Sequence, residues 1–195
     1  MDTEENIARN GGDPAVTKDG HKVELSANIE FSQEADQVRR YGGCGVGLFR
    51  TEFLKLLSPN SDDEETQFNA YHHVLETLRP EPVIIRTFDL GGDKFLGELD
   101  VNERNPFLGW RAIRVCQDRP ELFEPQLRAI LRASIYGSAR VMIPMVTHVE
   151  QVVGLRRQLA RVADMLEEEG YEVDRDMEVG IMVETPAAAL GIDLL

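Results

Sequence analysis

The stretch that decides the fold is VIIRTFDLGGDK, residues 83–94. Val83, Ile84 and Ile85 are a short β-branched run, which predicts a strand buried on both faces. The run ends in Arg86, followed by Asp89, the pair Gly91-Gly92, Asp93 and Lys94. A guanidinium at the end of a dry strand is costly unless it meets an anion. The two glycines allow the backbone to approach something closely. This strand end is therefore expected to face an anionic ligand, and the neighbouring strands to do the same.

Working outward, the same grammar repeats. GVGLFR (45–50) predicts a strand that also ends in Arg, followed by Thr51 and Glu52. Further strands are predicted at about 23–28, within PFLGWRAIRV (106–115), at RVMIPM (140–145), and at VGIMV (179–183), which runs into Glu184. Between them lie helical patterns. Residues 32–40 form a short helix closed by Gly42-Gly43, and 64–78 carry Phe68, Tyr71, Val74, Leu75 and Leu78 at helical spacing. Residues 122–136 place Leu127, Ile130 and Leu131 inward, and a Thr147–Glu150 capping box opens a helix to about Glu169. Residues 1–19 are polar, without a sustained period, and are expected to be a tail or linker; 20–195 make up one domain.

Six strands alternating with helices predict an α/β fold with a parallel sheet. The candidates are an open doubly wound sheet or part of a (β/α)8 TIM barrel, about six of its eight units. No GxGxxG follows the first strand and no GxxxxGK[ST] occurs, so the nucleotide-binding signatures of the open sheet are missing. Charged residues at several strand ends, Arg50, Arg86, Arg111 and Glu184, favour the barrel, which gathers its chemistry there.

The composition narrows the function classes. Thirty-five acidic and 21 basic residues give a formal charge of −14, which argues against nucleic acid or an anionic membrane as partner. No apolar run approaches the roughly 20 residues of a membrane span and no secretory signal opens the chain, so the expected location is the cytoplasm. Only four of the basic residues are lysines, a bias that a high-salt cytoplasm or a GC-rich genome would each produce. Cys44 and Cys116 sit beside apolar residues and are expected to be buried thiols. His21, His72, His73 and His148 have no base or ligand partner at a telling spacing.

Arginine binds phosphate or carboxylate bidentately and keeps its charge at any working pH. Two or three converging arginines suit a small polyanion, and a glutamate among them is tolerated where a cation intervenes, so Glu184 reads as a Mg²⁺ ligand. Each has a plainer alternative: an arginine as a strand-end ion pair, Glu184 as the cap of the helix after Pro186. Arginines and magnesium around a phosphoryl group point to phosphoryl transfer.

GVGLFRTEF (45–53), VIIRTFDLGGDK (83–94), NPFLGWRAIR (105–114), RVMIPM (140–145) and VGIMVETPAA (179–188) resemble, in order and spacing, the C-terminal half of the Enzyme I family. These are the phosphoenolpyruvate–protein phosphotransferases of the bacterial sugar phosphotransferase system, and the likeness covers nearly everything after about Asp19. Pyruvate phosphate dikinase and phosphoenolpyruvate synthase share the plan, but GGDK and GWRAIR look more like Enzyme I. The resemblance implies a TIM barrel that binds phosphoenolpyruvate and Mg²⁺ and forms a homodimer. It places Arg50, Arg86 and Arg111 on the substrate's phosphate and carboxylate, and Glu184 on one of two acidic metal ligands. In the family the phosphoryl group passes to a histidine on a separate domain and then to a phosphocarrier protein, and a cysteine protonates the enolate. That histidine, that cysteine, strands seven and eight and the second metal ligand are expected outside these 195 residues, so no catalytic residue is assigned within the chain and activity of the chain alone is not expected. Two other readings follow: a non-catalytic phosphoenolpyruvate-sensing or dimerisation module, and a piece of a dikinase or synthase.

Overall fold

The computed structural model describes residues 14–54, 63–91 and 108–195. Five parallel strands form one sheet: β1 (Ala27–Ile29), β2 (Val46–Arg50), β3 (Pro82–Arg86), β4 (Ser138–Ile143) and β5 (Glu178–Ile181). The helices between and after them are α1 (Ala35–Arg40), α2 (Glu64–Leu78), α3 (Ile113–Asp118), α4 (Pro120–Ala133), α5 (Val149–Glu168) and α6 (Pro186–Leu190). Strand order in the sheet equals strand order in the chain. A doubly wound sheet reverses direction part-way, whereas here every crossover advances by one strand, which is consistent with a partial barrel.

Among the described residues, helices cover one face of this sheet and not the other. Val83, Ile85, Val141 and Ile143 are buried against Tyr71, Leu75 and Leu78 of α2, Leu127 and Ile130 of α4, and Leu155 and Val162 of α5, in one continuous core. Right-handed crossovers advancing in one direction put the helices on one face, which accounts for the pattern. On the other face Ile84 pairs in register with Arg140, Arg140 with Glu178, and Met142 with Gly180; none of these is buried. No helix among the described residues is long and apolar enough to cross a membrane.

Local chemistry explains most elements. Asp63 caps α2, its carboxylate accepting from Thr66 N at 3.2 Å, and Glu64 and Glu65 sit at the positive end of the helix. The cap of α5 lies one residue later than expected: the Gln151 side-chain oxygen accepts from Thr147 N at 2.8 Å and His148 N at 3.2 Å, so Gln151 takes the place assigned to Glu150. Ala15 to Val23 forms a tight antiparallel turn, with Val23 N on Ala15 O at 2.8 Å. The expected boundary at 19/20 falls inside it.

Three expectations are corrected. The fourth predicted strand does not form: of 106–115, the part that is described is a turn at 108–112 followed by α3. Ala112 adopts a φ of 50°, which takes the chain out of an extended path, and its N–H donates to Leu90 O at 2.7 Å. Arg111 is thus carried by a turn and not by a strand end. Second, what Gly91 lets in is this same turn. With a φ of 126° and the Arg111 Cα and Cβ packed against it, Gly91 leaves no room for a side chain. Gly92, Asp93 and Lys94 lie outside the described residues. Third, Cys44 is exposed; only Cys116 is buried.

Candidate functional site

Arg50 and Arg86 are Cα partners at the last registered position of the β2–β3 pair. Immediately after Arg50 the chain makes a 3-10 turn, Thr51–Phe53, which tucks Glu52 into the interior with its side chain fully buried. Glu52 Oε1 pairs with the Arg86 guanidinium. Three residues past Arg86, Asp89 approaches the same guanidinium from its other nitrogen, Oδ2 lying 3.4 Å from NH1. Its second oxygen, Oδ1, accepts from Arg111 Nε at 3.1 Å and NH2 at 2.7 Å. Arg86 and Arg111, distant in sequence, are therefore joined through one carboxylate. Arg50 turns toward the end of β1, where its NH1 donates to Glu30 Oε1 at 2.9 Å, and stays part-exposed.

Glu184 reaches the same end of the sheet from the other side. Past β5 the chain stays beside β4, with Met182 N on Ile143 O at 2.8 Å, and Met182 Sδ lies 4.0 Å from Arg86 NH1. Glu184 Oε1 accepts from Met145 N at 2.7 Å and the residue is exposed. It does not cap α6; Thr185 does, accepting from Ala188 N at 3.1 Å. Among the described residues no group of three or more His, Cys, Asp or Glu is arranged to hold a metal.

A buried polar chain holds these ends from behind. Gln126 of α4 donates to Thr51 Oγ1 at 3.0 Å and to Tyr71 OH at 3.2 Å, and its oxygen accepts from Phe88 N at 2.9 Å. Thr51 Oγ1 donates to Arg86 O at 2.8 Å, and Tyr71 OH donates to Gln67 Oε1 at 3.0 Å. Burial pushes the Tyr71 phenol well above its ordinary pKa, so it remains a neutral donor. Despite this bonding, Arg50 Nε, Arg86 Nε and Glu52 Oε2 are buried without a partner. Such atoms cost about 1–3 kcal/mol each, and three of them lie together where β2 and β3 end.

The four predicted residues thus sit at one end of the sheet, two of them, Arg86 and Arg111, in direct contact through Asp89. Each arginine makes the ion pair of its plainer reading: Arg50 with Glu30, Arg86 with Glu52 and Asp89, and Arg111 with Asp89. Those carboxylates were missed as site residues. The signal was present: both strands read Arg-Thr followed by an acid, RTE at 50–52 and RTFD at 86–89. A groove of about 850 Å³ along β5, lined by Arg140, Met142, Leu159, Met177 and Gly180 among others, contains none of the predicted residues.

The family described as PEP-utilising enzyme, PEP-binding domain, matches residues 4–195. The chain belongs to that family. It is 48% identical over 181 residues to the phosphoenolpyruvate-protein phosphotransferase of Staphylococcus carnosus, which covers 92% of this chain. It is 47% identical over 183 residues to that of Haemophilus influenzae and 45% identical over 182 residues to that of Bacillus subtilis, each covering 93% of the chain. The chain spans about a third of the length of these curated relatives. The motifs quoted from 45–53 to 179–188 therefore pointed to the right family of PEP-utilising enzymes.

Proposed function

We propose that this chain is the phosphoenolpyruvate-binding part of a phosphoenolpyruvate–protein phosphotransferase, with residues 20–195 forming part of a TIM barrel. Arg50, Arg86 and Arg111 hold the phosphate and carboxylate of the substrate. The observation that carries this reading is the Arg86–Asp89–Arg111 bridge beside Arg50, at the strand ends of a PEP-binding family member. Guanidinium pairs at such a place suit a small polyanion.

Magnesium fits the donors present. Mg²⁺ usually takes one or two carboxylates together with substrate phosphate and water. Glu184 offers an exposed carboxylate whose orientation is fixed by Met145 N. The arginines are already balanced one for one by Glu30, Glu52 and Asp89, so a phosphate ester needs an additional cation beside it. When bound, magnesium supplies neutralisation of the charge on the phosphoryl oxygens. The chain's own groups do the rest: the arginines orient the ester, and Glu52 and Asp89 keep the guanidiniums in place. The same reading brings a histidine as phosphoryl acceptor, a phosphocarrier protein as partner, a homodimer and a cytoplasmic location.

Calorimetry with phosphoenolpyruvate and Mg²⁺ tests the site. Saturable heat is expected for the native chain and none for Arg86→Ala; equal heats for both would remove the proposed site.

A further inference from the structure

We propose that Asp89 is a positioning residue that locks Arg86 and Arg111 into a single clamp for the anionic substrate, a step that rests on the function just proposed. Its side chain is 6% exposed, and its two oxygens are divided between the two arginines. Oδ1 accepts from both Nε and NH2 of Arg111, a bifurcated contact that holds one edge of the guanidinium. Oδ2 holds the NH1 side of Arg86, whose NH2 side is held by Glu52. Each arginine has one face of its orientation set by the same carboxyl group.

The backbone reinforces the link. Ala112 N donates to Leu90 O at 2.7 Å, and Gly91 packs directly on Arg111. Residues 89–91 thus grip the Arg111 turn by a side chain, a carbonyl and a missing Cβ. Arg111 comes from a turn, so it has no strand to register it beside Arg86; Asp89 supplies that register. An arginine side chain loses rotamer freedom when it is fixed, and fixing two of them before the ligand arrives improves affinity.

Asp89 also carries a negative charge next to the place where an anion binds. On electrostatics alone its removal would tighten binding; as a positioning residue its removal loosens it. The sign of the effect separates the two roles.

The experiment titrates phosphoenolpyruvate with Mg²⁺ into the 195-residue chain and into Asp89→Ala, Asp89→Asn and Arg86→Ala, and records the arginine Nε–H resonances of each. Asp89→Ala is expected to bind roughly ten- to a hundredfold more weakly. Asp89→Asn, the same shape with one carbonyl oxygen, keeps one arginine and falls in between; it also serves should the alanine variant not fold. The Arg111 Nε–H signal is expected to shift in Asp89→Ala, while that of Arg128, bonded to Glu64 Oε2 at 2.5 Å, stays put. A general loss of structure would move both. If both Asp89 variants bind as tightly as the native chain, or more tightly, the inference falls while the contrast with Arg86→Ala leaves the function standing. If Arg86→Ala binds like the native chain, or the native chain does not bind, the function falls and the Nε–H spectra alone decide the clamp.

Discussion

Two clusters of arginines and carboxylates invite comparison. One lies at the strand ends, where Arg86 and Arg111 meet Glu52 and Asp89, with every side chain at most a tenth exposed. The other joins three helices. Arg128 and Arg132 of α4 pair with Glu64 and Glu65 of α2 and with Glu169 at the end of α5, and the acids there are 22–58% exposed. Arg132 also lies over the rings of Phe68 and Tyr171, at 4.2 and 4.8 Å. In the helix cluster the guanidiniums spend their edges on acids and, for Arg132, the face on aromatic rings, which is what a staple between helices needs. In the strand-end cluster the acids come from the loops that follow β2 and β3, and a carboxylate oxygen, Glu52 Oε2, is buried unmatched beside Arg86 Nε; the helix cluster leaves Arg132 Nε unmatched but no acid. Ion pairs of the same chemistry join helices in one place and, in the other, the chain segments that follow two strands.

The largest effect that would break or confirm this contrast is on stability. Arg86→Ala leaves the fully buried Glu52 without its cation and is expected to cost about 3–5 kcal/mol in urea denaturation. Arg132→Ala removes contacts to acids that stay hydrated, and about 1–2 kcal/mol is expected. Similar losses in the two variants would show the clusters to be equivalent. Glu52→Gln introduced with Arg86→Ala should recover part of the larger loss, because the stranded charge is gone.

Gly91→Ala comes next. The φ of 126° and the Arg111 backbone against Gly91 leave a methyl group only the option of pushing the Arg111 turn away. A loss of about 1–3 kcal/mol is expected, together with weaker phosphoenolpyruvate binding. Melting and calorimetry on one sample sharpen the comparison: the strand-end site should lose affinity even at temperatures where the chain is fully folded. Unchanged affinity would mean that the Arg111 turn plays no part in binding.

The sequence made the strand-end arginines readable because a β-branched run followed by a charge has few other uses; Arg50 and Arg86 stand where that pattern put them. Helices α2, α4 and α5 were equally readable, since their buried residues recur at helical spacing. The region 106–115 was not. Trp110, Ile113 and Val115 look strand-like, and what turns them into a loop and α3 is a single backbone angle at Ala112 and a contact with Gly91, neither of which leaves a local signature. Glu52 and Asp89 were visible in RTE and RTFD, but an acid next to an arginine reads as a loop residue until the fold buries it. The pairing of Arg128 and Arg132 was hidden for the converse reason: the acids they meet come from α2 and the end of α5, which only tertiary packing brings near.

The smallest effect concerns pH and belongs to the helix cluster. The hydrogen bonds from Arg128 hold the Glu169 carboxyl below its ordinary value of 4.5. In the unfolded chain that partner is absent, so the folded state binds the proton less readily. The contribution of this pair is therefore present above the unfolded value and is lost as pH falls through the lower folded one. Because the carboxylate is hydrated, the effect is small and screened by salt. In low salt, the native chain should melt at a slightly higher temperature than Glu169→Gln near pH 7, and the gap should narrow as the pH falls below the ordinary carboxylate range and Glu169 takes up its proton. A gap that does not narrow as Glu169 is protonated would assign it a packing role instead of an ionic one, and the helix cluster would then owe its hold to the stacked rings under Arg132 more than to its charges.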